Sequence, residues 1–429
     1  MRYLCKRFYI FLLIVLLVAV PVVGAKFFLK GINLGTNDED ELKGDITFLS
    51  NRTDKREEIE ALIKEFEELH PKVNVELELI GDAENILQRK ASVGELPDVT
   101  LVPSNISNNE YANYFLTIDD LGFNDNNIYN YDMGVGADSR LYCLNSSITW
   151  QGVIYNKKIF EKANIEKLPT TIKELFQVCE KVKALGVTPI AINYRQSWTM
   201  NLWVDIIPHL FDDNFSKDAV LGTKTILNSE SGMYKSLNLV REIVERGYCE
   251  EDLLNYDWQQ FKNDMNDGKI AMTIWNSDFI NQLEDMGMDK DDIGMFPIPE
   301  TKIIKIYGDY KFAVSKKSDN PEVAKEFLKY IFEESRYAKA VNNISPLKEE
   351  SDSKDNFESM KEYGVPVEFY SDFVRKQSVY DAKLEEEYLR LKNINGLNGS
   401  FVQKYITEDN IDNLINEIEN KWKESIQKR

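Results

Sequence analysis

Apolar and polar positions along this chain follow two periods, and the changes from one to the other mark its elements. Ile46 to Ser50 is a short apolar run, after which Lys55 to Leu69 places Ile59, Leu62, Ile63, Phe66 and Leu69 at helical spacing. His70-Pro71 ends that helix, because proline disfavours helical geometry in the residue before it. Val73, Val75, Leu77 and Leu79 alternate as a strand with one buried side. Ala83 to Val93 reads as a second helix closed by Gly94, and Val99 to Val102 as another strand. The order β-α-β-α-β calls for a parallel sheet covered by helices, with a ligand beyond the carboxyl ends of the strands. That edge carries Asn51, Arg52, Thr53 and Asp54 after the first strand, and Pro103, Ser104 and Asn105 after the third.

The pattern restarts further on. Gly152 to Tyr155 is a β-favouring run, broken at Asn156-Lys157-Lys158 before helical spacing begins at Ile159. Thr171 and Glu174 form a capping-box pattern ahead of Ile172, Leu175, Phe176, Cys179, Val182 and Leu185, which share a helical face. Val187 to Ile192 and Ile270 to Ile274 read as strands, and Phe261 to Asn266 as a helix. Prolines 297 and 299 remove ladder donors, so Phe296 to Pro299 is expected to be a connector and the second crossing between lobes. Lys311 to Ser315 is then a strand and Pro321 to Phe332 a helix. At the C-terminus Ile411, Leu414, Ile415, Ile418, Trp422 and Ile426 form a helical stripe, which makes Trp422 a core residue.

Composition narrows the function classes. A chain of 429 residues exceeds one compact core and implies two or three domains. Its net charge of −20 repels nucleic acid and anionic lipid, which leaves neutral or cationic ligands. Arg2, Lys6 and Arg7 precede an apolar run from Phe8 to Val23, and Val23-Gly24-Ala25 supplies small residues suited to signal cleavage. Residues 1–25 are therefore an export signal, either cleaved or kept as an anchor, and 26–43 a polar tether. Cys143, Cys179 and Cys249 have no metal-type spacing and read as buried free thiols.

Chemistry-bearing motifs are few. With only His70 and His209, a histidine-based triad or a multi-histidine metal centre has little material. Neither phosphate-binding glycine fingerprint is present, so no nucleotide cofactor is expected. Asp289, Asp291, Gly294 and Glu300 imitate a calcium loop, but Ile293 and the two prolines spoil it, and no metal is expected. Aromatics are more informative. A sugar offers apolar C–H faces and a rim of hydroxyls, so its site needs flat rings beside planar polar groups. Trp150, Trp198 and Trp275 with Asn276 each lie just beyond a strand or crossing rather than within a helical stripe.

Six segments resemble, in order, those of family 1 extracellular solute-binding proteins, the capture subunits of sugar ABC transporters. They are Gly94-Glu-Leu-Pro-Asp-Val99, Gly152-Val-Ile-Tyr-Asn-Lys157 with Phe160, Leu168-Pro-Thr-Thr-Ile-Lys-Glu174, Gly186-Val-Thr-Pro-Ile190, Gly268-Lys-Ile-Ala-Met272, and Ile293-Gly-Met-Phe-Pro297 followed by Tyr307-Gly-Asp-Tyr310. The resemblance implies a two-lobed, periplasmic-binding-protein-like α/β fold with a hinge and a cleft. Lobe 1 is expected at 44–150 plus 300–335, and lobe 2 at 151–299 plus 336–429. It further implies ligand contacts from Asn51, Arg52, Asp54, Ser104, Asn105, Trp150, Trp198, Trp275, Asn276, Gly308, Asp309 and Tyr310. The implied function is non-enzymatic: capture of a sugar or oligosaccharide outside the cell by a monomer that passes it to permease subunits. The chain departs from the family in having Cys143-Leu-Asn145, without proline, before the first crossing. It also lacks a lipoprotein cysteine after its apolar run, since Cys5 precedes it. An anchored sugar sensor is the alternative, motivated by the Phe8–Ala25 segment. A glycoside hydrolase is a third reading, because acidic residues are abundant.

Overall fold

A computed structural model describes residues 41–349 apart from 82, together with 357 and 360–428. The expected export segment and nearly all of the tether lie outside these residues. The strands in chain order are β1 (Lys43–Ser50), β2 (Lys72–Leu79), β3 (Val99–Leu101), β4 (Cys143–Asn145), β5 (Ile148–Asn156), β6 (Thr188–Ala191), β7 (Ile270–Asn276), β8 (Ile293–Phe296), β9 (Ile304–Gly308), β10 (Lys311–Val314) and β11 (Val367–Phe369).

They form two sheets. The first has the order β2-β1-β3-β10-β4, and the second β11-β9-β5-β7-β6 with β8 also paired to β5. In the first, β1 runs parallel to β2 and β3, as the β-α-β-α-β pattern requires, while β10 lies antiparallel between β3 and β4. Its covering helices are Arg56–Leu69, Glu84–Val93 and Pro321–Phe332. Ile59, Ile63 and Phe66 of the first helix and Phe327 and Ile331 of the last are buried with Phe48 and Phe312 of the sheet. Gly94 ends the second helix at φ 73°, a left-handed position that glycine takes without steric cost.

The second core gathers the sheet face around Val153 and Met272 with the helices Ile172–Lys183, Gly232–Glu245, Val379–Ile394, Gly399–Thr407 and Ile411–Gln427. The Thr171–Glu174 capping box is formed. Trp422 is 1% exposed and its indole N–H donates to Ala219 O at 3.0 Å. Cys143, Cys179 and Cys249 are buried free thiols.

The two sheets are joined by two antiparallel segments that stay hydrogen-bonded between them. Lys311 faces Asn145 at the end of the first sheet, and Gly308 faces Ile148 at the start of the second. Between them the Ser146 N–H donates to Tyr310 O at 2.7 Å, and the Asp309 N–H donates to Ser147 O at 3.0 Å. Cys143 to Trp150 and Ile306 to Ala313 therefore run as an antiparallel pair through both lobes, paired as strands in each sheet and linked by these two bonds between them. A third passage lies alongside it, where the Ile148 N–H donates to Ile344 O at 3.2 Å.

This antiparallel pair places the crossings at 146–147 and 309–310, not at 150 and 300. All of β5 and β9 pairs within the second sheet, so Trp150 and residues 304–308 belong there. Phe296 to Pro299 is not the second crossing. Ile293 to Phe296 pairs antiparallel with Val153 to Asn156, and the prolines follow once that ladder has ended. Residues 336–341 also stay with the first lobe, where Tyr337 packs on Phe312 at 4.9 Å between ring centroids.

Candidate functional site

Strand directions decide which edges face each other. In the first sheet the carboxyl ends of β1, β3 and β4 and the start of β10 share one edge, and the crossings leave from it. In the second sheet the carboxyl ends of β6, β7 and β9 and the start of β5 share one edge, and the crossings arrive there. The two ligand-type edges are thus turned toward one another across the hinge.

On the second lobe that edge carries three neighbouring indoles. Trp258 and Trp275 lie 4.9 Å apart between ring centroids, Trp198 and Trp258 5.3 Å, and Trp198 and Trp275 5.7 Å. Trp198 is 49% exposed, a large apolar surface left in water. Behind the facet, Trp258 packs on Phe261 and Phe279 at 4.9 and 5.6 Å, and those two buried rings stack at 5.1 Å. Trp258 was not among the expected contacts. It starts the helix Trp258–Asn266, and a tryptophan at helical spacing with Phe261 reads as core from sequence; the only hint was Asp257, whose side chain caps that helix.

A polar row adjoins the facet. Asn276 accepts a hydrogen bond from Gln151, its register partner across β5 and β7. The other Gln151 amide atom, Oε1, is buried without a partner among the described residues. Thr149 Oγ1 lies 3.1 Å from Ser277 Oγ, and Asn343 Nδ2 donates to Ser147 Oγ at 3.3 Å. Asp309 stands at the crossing itself, half-buried. Burial raises its carboxyl to about 7, the neighbouring Asp278 carboxylate adds to the rise, and hydrogen bonding from Tyr310 and the charge of Arg52 oppose it. Burial likewise raises Asp278, again against the pull of Arg52.

The remaining expected residues are distributed unevenly. Arg52 holds Asp54 through two bonds of 2.9 and 2.8 Å, and its Nη1 donates to Val341 O at 2.9 Å and Asn343 Oδ1 at 3.3 Å. Burial works against the Asp54 charge, but the Arg52 guanidinium outweighs it and keeps the carboxyl below its ordinary value. Arg52 therefore ties the first lobe to the third passage. Asn51 is half-buried beside it; Ser104 and Asn105 are exposed at the rim, where Ser104 Oγ donates to Glu84 at 2.6 Å. Tyr310 is 44% exposed, whereas Gly308 is packed against Asn145.

Trp150 does not join the indole facet. It lies on the same sheet face as Trp275, which pairs with Gly152, but its ring contact is with Tyr363, at 6.1 Å, and it is buried in the core behind the facet. His209 is also remote in character: burial first, then the nearby Lys305 charge, lower it to about 3, so it is neutral. Among the described residues no cluster of ligating side chains has the makings of a metal site.

Two hinged α/β lobes with an aromatic facet and a polar row at their facing edges define a two-lobed binding-protein architecture. Residues 50–335 match the family model described as bacterial extracellular solute-binding protein, and the chain belongs to that family. A multiple sugar-binding protein of Streptococcus mutans serotype c is 24% identical over 314 residues, which is 68% of this chain and 71% of that protein. Among solved structures, a binding protein of an ABC transporter from Bifidobacterium animalis subsp. lactis, in complex with mannobiose, superposes with a TM-score of 0.78 at 23% identity, covering 90% of this chain and 96% of that one. A sugar transporter protein from Bacillus licheniformis in complex with stachyose gives 0.65 at 17% identity, covering 89% and 98%.

Proposed function

We propose that the protein is a non-enzymatic carbohydrate receptor that captures an oligosaccharide between its lobes and hands it to the permease subunits of an ABC transporter. The observation that carries this reading is the Trp198–Trp258–Trp275 facet, part exposed and flanked by Asn276 and Gln151. Sugar rings stack their C–H faces on indoles, and amides and carboxylates meet their hydroxyls. Relatives named for sugar binding and neighbours solved with mannobiose and stachyose support the same class.

In this reading one lobe spans 43–145 with 311–347, and the other 148–308 with 360–428. Trp198, Trp258 and Trp275 stack on the ligand; Gln151, Asn276, Asp309 and Tyr310 bind its hydroxyls; and Asn51, Asp54, Ser104 and Asn105 close from the opposite lobe. Ligand touches both sides only when the lobes meet, so sugar shifts the population toward closure. The protein works outside the cell as a monomer, held at the membrane or released according to the fate of residues 1–25.

A thermal-shift screen over neutral mono- and oligosaccharides tests the proposal, because a ligand that binds only the folded state raises the melting temperature. At least one oligosaccharide is expected to raise it in proportion to the logarithm of its concentration. A panel without any shift counts against a sugar ligand.

A further inference from the structure

Charges of alternating sign line both sides of the hinge beside the third passage. On the first lobe Arg52, Asp54 and Lys55 follow one another directly after β1; on the second, Asp278, Lys262 and Asp285 lie on or next to the helices Trp258–Asn266 and Phe279–Asp285. Lys55 Nζ pairs with Asp285 across the lobes at 2.8 Å, and Asn342 Nδ2 of the third passage donates to the same carboxylate at 3.2 Å. Arg52 acts favourably on Asp278, and Lys262 on Asp54. Opposite charges thus act on each other across the hinge, with Lys55 and Asp285 in direct contact.

The setting of the central pair is unusual for a surface salt bridge. The Lys55 side chain is 9% exposed, and a buried ammonium is costly unless it is paired. Asp285 ends its helix, where the helix dipole disfavours an anion, so local helix chemistry gives no reason for an acid there. Its counterpart is Lys55. Lys55 has a second acid within its own lobe, Glu58 at 3.5 Å, which it can keep when the lobes part. Separation then exchanges one partner for another instead of stranding a charge.

We propose that the Lys55–Asp285 pair, with the facing charges around it, is an electrostatic latch that sets how far apart the lobes stand before ligand binds. This rests on the receptor reading above, since only a hinged receptor has a separation to set. The latch lowers the cost of closing on a ligand, so apparent affinity depends on it although neither residue touches the ligand. Salt weakens it, because part of the charge register is open to solvent.

The test is a spin-label distance between Glu76→Cys on the outer strand of the first lobe and Glu386→Cys on an outer helix of the second, in the ligand-free full chain with Cys5→Ser. Both label positions are exposed, and the described native cysteines are buried. The parent protein is expected to lengthen this distance when salt is raised from low to about 1 M, where the screening length falls to about 3 Å. Lys55→Gln and Asp285→Asn are expected to be lengthened at low salt already and to respond less to added salt. The charge-conserving variant Asp285→Glu is expected to keep the salt response that Asp285→Asn loses. Circular dichroism melts confirm that each variant is folded; should Lys55→Gln fail to fold, Asp285→Asn and Asp285→Glu carry the test. Distances that match in every variant, or a parent indifferent to salt, overturn the latch. No sugar is present, so this outcome is independent of the ligand screen. With a binding sugar in hand, Asp285→Asn is expected to weaken apparent affinity about three- to tenfold.

Discussion

Gly308 and Asn145 are packed so closely that a Cβ on the glycine would fall inside the Asn145 carboxamide. Both lie in the antiparallel pair that joins the lobes, one on each side of the crossings, and Asn145 is 2% exposed with its Nδ2 donating to Asn130 O at 3.3 Å. Gly308→Ala must push that amide aside and break its bond, an overpacking cost of about 1–3 kcal/mol. A urea midpoint lowered to match is expected.

The tryptophans divide into two classes by mutation. Trp198→Ala, Trp258→Ala and Trp275→Ala are each expected to reduce sugar affinity by about 1 kcal/mol or more through lost stacking, with Trp198→Ala least harmful to folding because that ring is half in water. Trp150→Ala empties a buried site against Tyr363 and is expected to cost about 3–5 kcal/mol of stability. Calorimetric titrations paired with denaturant melts separate these effects. A Trp150→Ala protein that folds normally but has lost its ligand contradicts the assignment.

Asp309 gives the protein a pH dependence of definite sign. Burial and Asp278 lift its carboxyl from 3.8 to about 7, so the native state holds a proton that the unfolded chain releases within that window. Stability from this group falls as pH rises through the window, and Asp309→Asn removes the loss. The variant is expected to be the more stable protein above neutrality, by about 1 kcal/mol, and to lose that advantage near pH 4. Denaturant midpoints across this range check it.

The third reading from sequence, a glycoside hydrolase, has its own outcome. The Asp278 and Asp309 carboxyls are close enough to influence each other, which is the kind of pair such chemistry uses. Prolonged incubation with a bound oligosaccharide is expected to return it intact by chromatography. Cleavage that disappears in Asp309→Asn contradicts the receptor account.

The regular elements were legible because their periods are strong. Ile59, Ile63 and Phe66 on one helix face, and Val73 and Val75 on one strand face, are buried as their spacing requires. The crossings were not legible. Strand β9, Ile304–Gly308, is short, and whether it pairs with the first or second sheet depends on a ladder partner, Ile148 to Trp150, distant in sequence. Local pattern tells where an element runs, but which rings meet depends on neighbours distant in the chain. Trp150 points to the Tyr363 side of β5, and Trp258 leaves a helix end toward Trp198 and Trp275. The Lys55–Asp285 pair joins residues far apart in the chain, so no window of sequence contains it.

What matters most is whether a carbohydrate settles on the indole facet between the lobes and draws them together. Titration calorimetry of the unmodified chain and of the Trp198→Ala/Trp275→Ala double variant, against whichever oligosaccharide most raises the melting temperature, addresses this directly. Saturable one-to-one binding by the former and at least tenfold weaker binding by the latter is the predicted result. Equal affinity in the two proteins, with both folded, would place the ligand elsewhere and contradict the account.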